Sequence, residues 1–304
     1  MPSSTTTIAT RGISLLAPAE TRSPPGDDGG PILAGRIRSG AFSSPAGLHR
    51  WPWLQRLRRA LEEDLFVLHY QPIVALQGAR GGGEGPASHY EALLRLADRP
   101  EEGLVAPASF LPAAERHGLI RDIDRMVLGK VAKLLAQPTP AGRGATIAIN
   151  VSAVSVTDSS MLEHLERCLR SHRVDPSRLM VEVTETAAIS DMGRAREFCA
   201  GVQRLGCAVA LDDFGAGFGS FQYLKHLPFT YLKIDGDFIR GLPASRTDQL
   251  VVKALVGVVR GMGRRTIAEF VGDAPTLAML RSYGVDYAQG FHLGRPQATF
   301  PLAA

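Results

Sequence analysis

The stretch "AVALDDFGAGFGSF", residues 208–221, joins an apolar run, Ala208–Leu211, to two adjacent carboxylates, Asp212 and Asp213, and then to glycines at Gly215, Gly217 and Gly219. An apolar run bounded by turn residues reads as a buried strand that breaks into a loop. Two acids at the end of such a strand repel each other unless a cation compensates them. The same arrangement, a strand-like run ending in a polar group, recurs along the chain. It is seen in "LFVLHYQP" (65–72), "HYEALLRL" (89–96), "TIAINVS" (146–152), "LMVEVTE" (179–185), "YLKID" (231–235), "TIAEF" (266–270) and "YAQGF" (287–291). With "VALDD" (209–213) there are eight such runs.

Most intervals between the runs carry helical periodicity. Before the first, Trp53, Leu54, Leu57, Ala60 and Leu61 fall at helical spacing. In 122–136, Ile123, Met126, Val127, Val131, Leu134 and Leu135 line one face; in 248–263, Leu250, Val251, Ala254, Leu255, Val258 and Val259 do the same. Strands alternating with helices give βα units, and eight of them predict an α/β fold, a (β/α)8 TIM-type barrel. One interval departs from the pattern. "ALQGARGGGEGPASH" (75–89) holds too much glycine for a helix. Parallel neighbours need a crossover, usually helical, whereas antiparallel ones can be joined by a flexible loop. The first strand is therefore expected to run antiparallel to the second.

Residues 1–50 are rich in Ser, Thr, Pro and Gly without sustained apolar periodicity, which predicts a disordered leader followed by a folded domain over 51–304. The net charge of +4 is concentrated toward the N-terminal end: residues 1–59, the leader and the start of the first helical stretch, carry eight arginines, no lysine and three acids, and the rest of the chain is close to neutral. A basic leader on a near-neutral fold argues against a nucleic-acid polymer as partner of the folded part. The leader is also too short for a typical sensor or cyclase domain. Cys168, Cys199 and Cys207 are odd in number and widely spaced, so they form no disulfide framework or zinc motif. A reducing compartment, the cytoplasm, is expected, and no stretch has the length or apolarity of a membrane span.

Active sites of such barrels lie at the C-terminal ends of the strands. Glu91, Asn150, Glu182, Asp212, Asp213, Lys233, Glu269 and Gln289 would converge there from seven strands. Five carboxylates facing one lysine call for further positive charge. An all-oxygen donor set without thiolate or imidazole favours Mg²⁺ or Mn²⁺ over zinc. Adjacent Asp212 and Asp213 suit a pair of metals, one acid turned to each.

At this point the residues resemble a known family. "YQPIV" (70–74), "EALLR" (91–95), "PASFLPAAERHGLI" (107–120), "INVS" (149–152), "VEVTET" (181–186), "LDDFGAG" (211–217), "YLKHLPFTYLKID" (223–235), "AEFV" (268–271) and "QGFHLGRP" (289–296) resemble, in order, the motifs of the EAL-domain cyclic di-GMP phosphodiesterases. The resemblance implies a barrel with an antiparallel first strand and hydrolysis of cyclic di-GMP to linear pGpG with two Mg²⁺ or Mn²⁺ ions per site, Ca²⁺ being inhibitory. It implies Glu91, Asn150, Glu182 and Asp212 as ligands of one metal and Asp212 with Asp213 as ligands of a second. Lys233 and Glu269 are implied to position and deprotonate the attacking water. Gln71, Leu93, Arg95, Asp235 and Gln289 are implied as substrate-contacting positions. Glu185, Gly215 and Gly217 are implied to belong to a loop that couples metal occupancy to homodimerisation. The chain departs from the family pattern at Phe270 (usually Gly), Gly272 (usually Glu), Ala216, Gly219 and Leu96. The alternative from another class is a weakly active or inactive domain serving as a cyclic di-GMP receptor or interaction module.

Overall fold

The computed structural model describes residues 53–76, 89–99, 101, 103–137, 145–215 and 221–300. The expected leader, the glycine-rich interval after Leu76, and Ala216, Gly217 and Gly219 lie outside the described residues. Eight strands form a closed barrel in sequence order: β1 (Phe66–Ala75), β2 (His89–Leu96), β3 (Thr146–Val151), β4 (Leu179–Thr184), β5 (Ala208–Phe214), β6 (Tyr231–Ile234), β7 (Arg265–Ala268) and β8 (Tyr287–Gln289). β1 is antiparallel to both its neighbours, β2 and β8, and every other pair is parallel. This is the architecture the eight polar-ended runs and the glycine-rich interval predict.

The helices are α1 (Trp53–Glu62), α2 (Pro107–Arg116), α3 (Ile120–Leu135), α4 (Ala153–Val156), α5 (Ser159–His172), α6 (Glu185–Ser190), α7 (Met192–Arg204), α8 (Phe221–His226), α9 (Gly236–Ile239), α10 (Arg246–Gly261) and α11 (Ala274–Tyr283). Short polar residues begin several of them. Asp158 caps α5, Thr184 caps α6, Asp235 caps α9 and Asp273 caps α11, each accepting a backbone N–H two or three residues on. Thr184 is the last residue of β4 and Asp235 directly follows β6, so the polar residue at each strand end also starts the helix.

α3 buries Ile123, Val127, Val131 and Leu135, with Met126 and Leu134 packed against the core, as its periodicity predicts. α10 corrects the sequence reading. Its buried face is Val252, Leu255, Val256 and Val259, while Leu250, Ala254 and Val258 point outward. From Leu250 to Val259 every residue but Lys253 and Gly257 is apolar, so spacing within that stretch does not by itself select a face. Packing on β7, α9 and α11 decides it.

Inside the barrel the alternation of strand side chains gives two tiers. The lower tier, toward the strand N-terminal ends, contains Ile73, Ala148, Met180, Ala210, Tyr231 and Ile267, a core cluster separate from the large one between strands and helices. His89, Tyr231 and Tyr287 complete it as a mutual aromatic contact, with ring centroids 4.8–5.9 Å apart. Two residues along each strand from these positions lies the upper tier, and it is polar.

Candidate active site

The upper tier draws one residue from each strand: Gln71, Glu91, Asn150, Glu182, Asp212, Lys233, Glu269 (one residue past β7) and Gln289. On the parallel strands each stands two residues after a lower-tier position, so a period of two delivers every side chain to the same interior. Lys233, in mid-barrel, is almost fully buried. Its ammonium lies 2.9 Å from Glu182, 2.9 Å from Asp212, 2.9 Å from Glu269 and 3.7 Å from Glu91. Asn150 Nδ2 donates to Glu91 Oε1 at 2.7 Å, and Gln289 Nε2 donates to Glu91 Oε2 at 2.7 Å and to Gln71 Oε1 at 3.1 Å. Gln71 Nε2 in turn donates to the Gly294 carbonyl at 3.1 Å.

The electrostatics follow from packing several acids around one cation. Burial alone would depress the Lys233 ammonium, but the attraction of Asp212, Glu182, Glu269 and Glu91 outweighs it and holds its pKa well above the usual lysine value. Burial opposes ionisation of Glu91 as well, yet Lys233 and the amides of Gln289 and Asn150 bring its carboxyl below the ordinary range. Glu182 has Lys233 but not the two amides. Burial and then the neighbouring acids push it well above the ordinary carboxylate, despite Lys233. Burial raises Glu269 to about 8, and burial with the adjacent Asp212 raises Asp213 to about 6.

The β5 terminus shows how two consecutive acids reach one site. Asp213 has φ +54, the left-handed region that Asp tolerates better than most side chains, and the pairing of β5 with β6 shifts register between Leu211 and Phe214. Asp212 and Asp213 therefore both line the cavity instead of facing opposite sides of the sheet. Gly215 follows at φ +102. Its N–H donates to Glu185 Oε2 at 3.3 Å, and any Cβ there would meet the Phe238 ring at 2.4 Å. The buried Glu185 carboxylate thus holds Gly215, directly after the β5 end.

The cavity measures about 440 Å³. Its floor is the acid–lysine cluster, and Gln71, Leu93, Arg95 and Gln289 line it. Asp235 is not among the lining residues. It caps α9 by accepting from Asp237 N at 2.7 Å, and its charge helps raise Asp213. Phe291 and Pro296 also form the wall, together with Phe270, noted in the sequence only as a departure. Phe270 directly follows the polar end Glu269 and Phe291 lies two residues after Gln289, whereas nothing in the local pattern marked Pro296 as lining.

A cation fits this donor set. Asp212, Asp213 and Glu269 each offer a carboxylate oxygen within 4.8 Å of the others. Buried Glu182 Oε1 has no hydrogen-bond partner among the described residues. All donors are acid or amide oxygens, the set that hard divalent ions prefer.

The EAL domain family profile matches residues 54–296. The cyclic di-GMP phosphodiesterase PdeB of Shewanella oneidensis is 37% identical over 252 residues, which is 83% of this chain and 28% of that protein. Among solved structures, the FimX EAL domain of Pseudomonas aeruginosa bound to c-di-GMP superimposes with a TM-score of 0.74 at 32% identity, over 83% of this chain and 99% of that one. The MucR phosphodiesterase of Pseudomonas aeruginosa in its c-di-GMP complex gives a TM-score of 0.74 at 36% identity, over 81% of this chain and 97% of that one. The chain spans about a third of the length of the curated relatives it matches, between 28% and 36% for the first three. Among the described residues no helix is long and apolar enough to cross a membrane. A closed barrel whose upper tier keeps its acids, amides and lysine, matched by the family profile from its first helix to Pro296, establishes that this chain belongs to the EAL domain family.

Proposed function

We propose that the chain is a metal-dependent phosphodiesterase that hydrolyses cyclic di-GMP to linear pGpG. The observation that carries the reading is the Lys233 cluster, with three carboxylates 2.9 Å from one buried ammonium at the floor of the cavity. Relatives named as cyclic di-GMP phosphodiesterases and superimposable domains with that nucleotide bound support it.

Glu91, Asn150, Glu182 and Asp212 would hold one Mg²⁺ or Mn²⁺, and Asp212 with Asp213 a second. Such ions neutralise charge on the phosphodiester and acidify water. The chain's own residues do the rest. Lys233 places positive charge where the phosphoryl oxygens gain negative charge. The Glu269 carboxyl, raised to about 8, takes up and releases a proton near neutral pH. Arg95 presents a planar fork to a phosphate, and Gln71, Leu93 and Gln289 frame the nucleotide, while Asp235 acts on the site only through its charge on Asp213. Ca²⁺, with looser coordination, permits binding without cleavage.

Two finer readings accompany this one. The protein acts as a homodimer through the outer face of α10, where Leu250, Val258 and Met262 lie exposed. It works in the cytoplasm, a reading supported by three buried, unpaired cysteines. The decisive experiment is chromatographic separation of cyclic di-GMP from pGpG after incubation with Mn²⁺, run beside Glu91→Ala. Conversion by the parent alone supports the proposal. Intact nucleotide in both overturns it and leaves a receptor, detectable as binding in Ca²⁺.

A further inference from the structure

α3 packs outside the barrel, and its buried face includes a carboxylate, Asp124. Burial pushes that carboxyl above the ordinary range despite hydrogen bonds from Ser152, and Glu115 adds repulsion, so its charge costs stability. A single oxygen makes two bonds to one residue. Asp124 Oδ2 accepts from Ser152 Oγ at 2.6 Å and from Ser152 N at 3.1 Å. With its proton committed to Asp124, the Ser152 hydroxyl accepts from Ser155 N at 3.3 Å and caps α4. Ser152 directly follows β3, two residues beyond Asn150. At Asn150 the ladder is half finished: pairing of β3 with β2 ends at Ile149, and pairing with β4 ends at Val151. Glu91, Glu182 and Asp212 are buried, whereas Asn150 is exposed, its side chain held by the bond to Glu91 Oε1 at 2.7 Å.

We propose that Asp124 is a positioning residue for the metal centre: it clamps the β3–α4 turn from outside the barrel and so fixes the backbone from which Asn150 reaches the first cation. The inference rests on the metal-dependent reading of the site and adds to it a residue that does not line the cavity. With Nδ2 donating to Glu91, Oδ1 is the Asn150 atom left for a cation. Mg²⁺ demands near-ideal geometry at about 2.0–2.1 Å, so drift of a loosely paired strand end weakens its hold. The strength of the bond accounts for burying a charge where a neutral group would cost less. A charge-assisted hydrogen bond is shorter than a neutral one and roughly twice as strong. Partners that orient a metal ligand from behind typically tune metal affinity by about ten- to a hundredfold.

The test is Mn²⁺ affinity in the absence of nucleotide, read from the electron paramagnetic resonance signal of the free ion, beside the melting temperature. Asp124→Ala should weaken Mn²⁺ binding about tenfold. Asp124→Asn keeps a carbonyl oxygen for both Ser152 bonds and should stay within about threefold of the parent. In an Asn150→Ala background Asp124→Ala should add nothing to the loss, since the ligand it aims is gone. Ser152→Ala removes the 2.6 Å bond and keeps the backbone one, so it should show a smaller loss of the same kind, and it carries the test if Asp124→Ala does not fold. A merely structural Asp124 would lower the melting temperature at parental Mn²⁺ affinity, or add its full loss to that of Asn150→Ala. Either result would overturn the inference while leaving the phosphodiesterase reading intact. A parent that binds no Mn²⁺ would overturn both.

Discussion

The two tiers of the barrel interior are built from the same strands, two residues apart, and they solve opposite problems. The lower tier packs Ile73, Ala148, Met180, Ala210, Ile267 and the His89–Tyr231–Tyr287 aromatic contact. Its polar atoms are paired locally: Arg265 Nη1 donates to Tyr287 Oη at 3.0 Å, and His89 Nε2 and Tyr231 Oη are hydrogen-bonded at 3.3 Å. The upper tier crowds acids around Lys233 and leaves Glu182 Oε1 without a hydrogen bond among the described residues. One tier is arranged for stability, and the other concentrates uncompensated charge where chemistry is to happen. A period of two lets one fold do both, because adjacent tiers share a backbone and nothing else.

The sharpest way to break this contrast is to make the same kind of truncation in each tier. Glu91→Ala in the upper tier should reduce hydrolysis at least about a thousandfold, since it removes a metal ligand and a hydrogen-bond partner of Asn150 and Gln289. Its melting temperature should stay within a few degrees of the parent. Ile267→Ala in the lower tier should do the reverse, costing about 2–5 kcal/mol in urea unfolding while turnover per folded molecule stays within about twofold. A large activity loss in Ile267→Ala would show that the tiers are coupled.

A second test asks whether the upper tier really stores repulsion. Asp212→Asn removes a charge that raises both Glu182 and Glu269. The metal-free protein should become more stable by about 1 kcal/mol, and hydrolysis should be lost. Added Mn²⁺ should raise the parent's melting temperature more than the variant's. A destabilised Asp212→Asn would mean that its ion pair with Lys233 outweighs the repulsion.

The smallest effect belongs to the lower tier. Burial, and then Arg265, lowers His89 to about 4, below its ordinary 6.5. The unfolded chain therefore binds a proton between about pH 6.5 and 4 that the folded chain refuses, and stability contributed by neutral His89 is lost as pH falls through that window. His89→Phe should flatten this part of a melting-temperature profile against pH, by a few degrees at its acid end. An unchanged acid slope would place the proton uptake elsewhere.

Much of this was legible in the sequence, for reasons the tiers make clear. A polar residue ending an apolar strand is a one-dimensional signal, and Asn150, Glu182, Asp212, Lys233, Glu269 and Gln289 carried it, whereas Glu91, third in β2, stood out through the "EALLR" stretch. The glycine-rich interval reported the direction of β1 through chain connectivity alone. What escaped depended on packing. The middle of α10 is too densely apolar for spacing to choose between Val252–Val256 and Leu250–Val258. Phe270 looked like a mere departure, because its left-handed backbone, the bare Gly236 behind it and the Arg240 guanidinium belong to three segments that meet only in the fold.

The left-handed turn at Asp213 sets a length scale. Residues on one face of a strand repeat every two positions, about 6.6 Å apart, whereas consecutive Cα atoms are about 3.8 Å apart. Regular strands can therefore plant carboxylates only on the coarser grid. By aiming two successive residues into one cavity, β5 halves the grid at a single point, to about the 3.5–4 Å at which paired divalent ions act on a phosphodiester. One backbone torsion turns a strand into a ruler with two marks where it would otherwise have one.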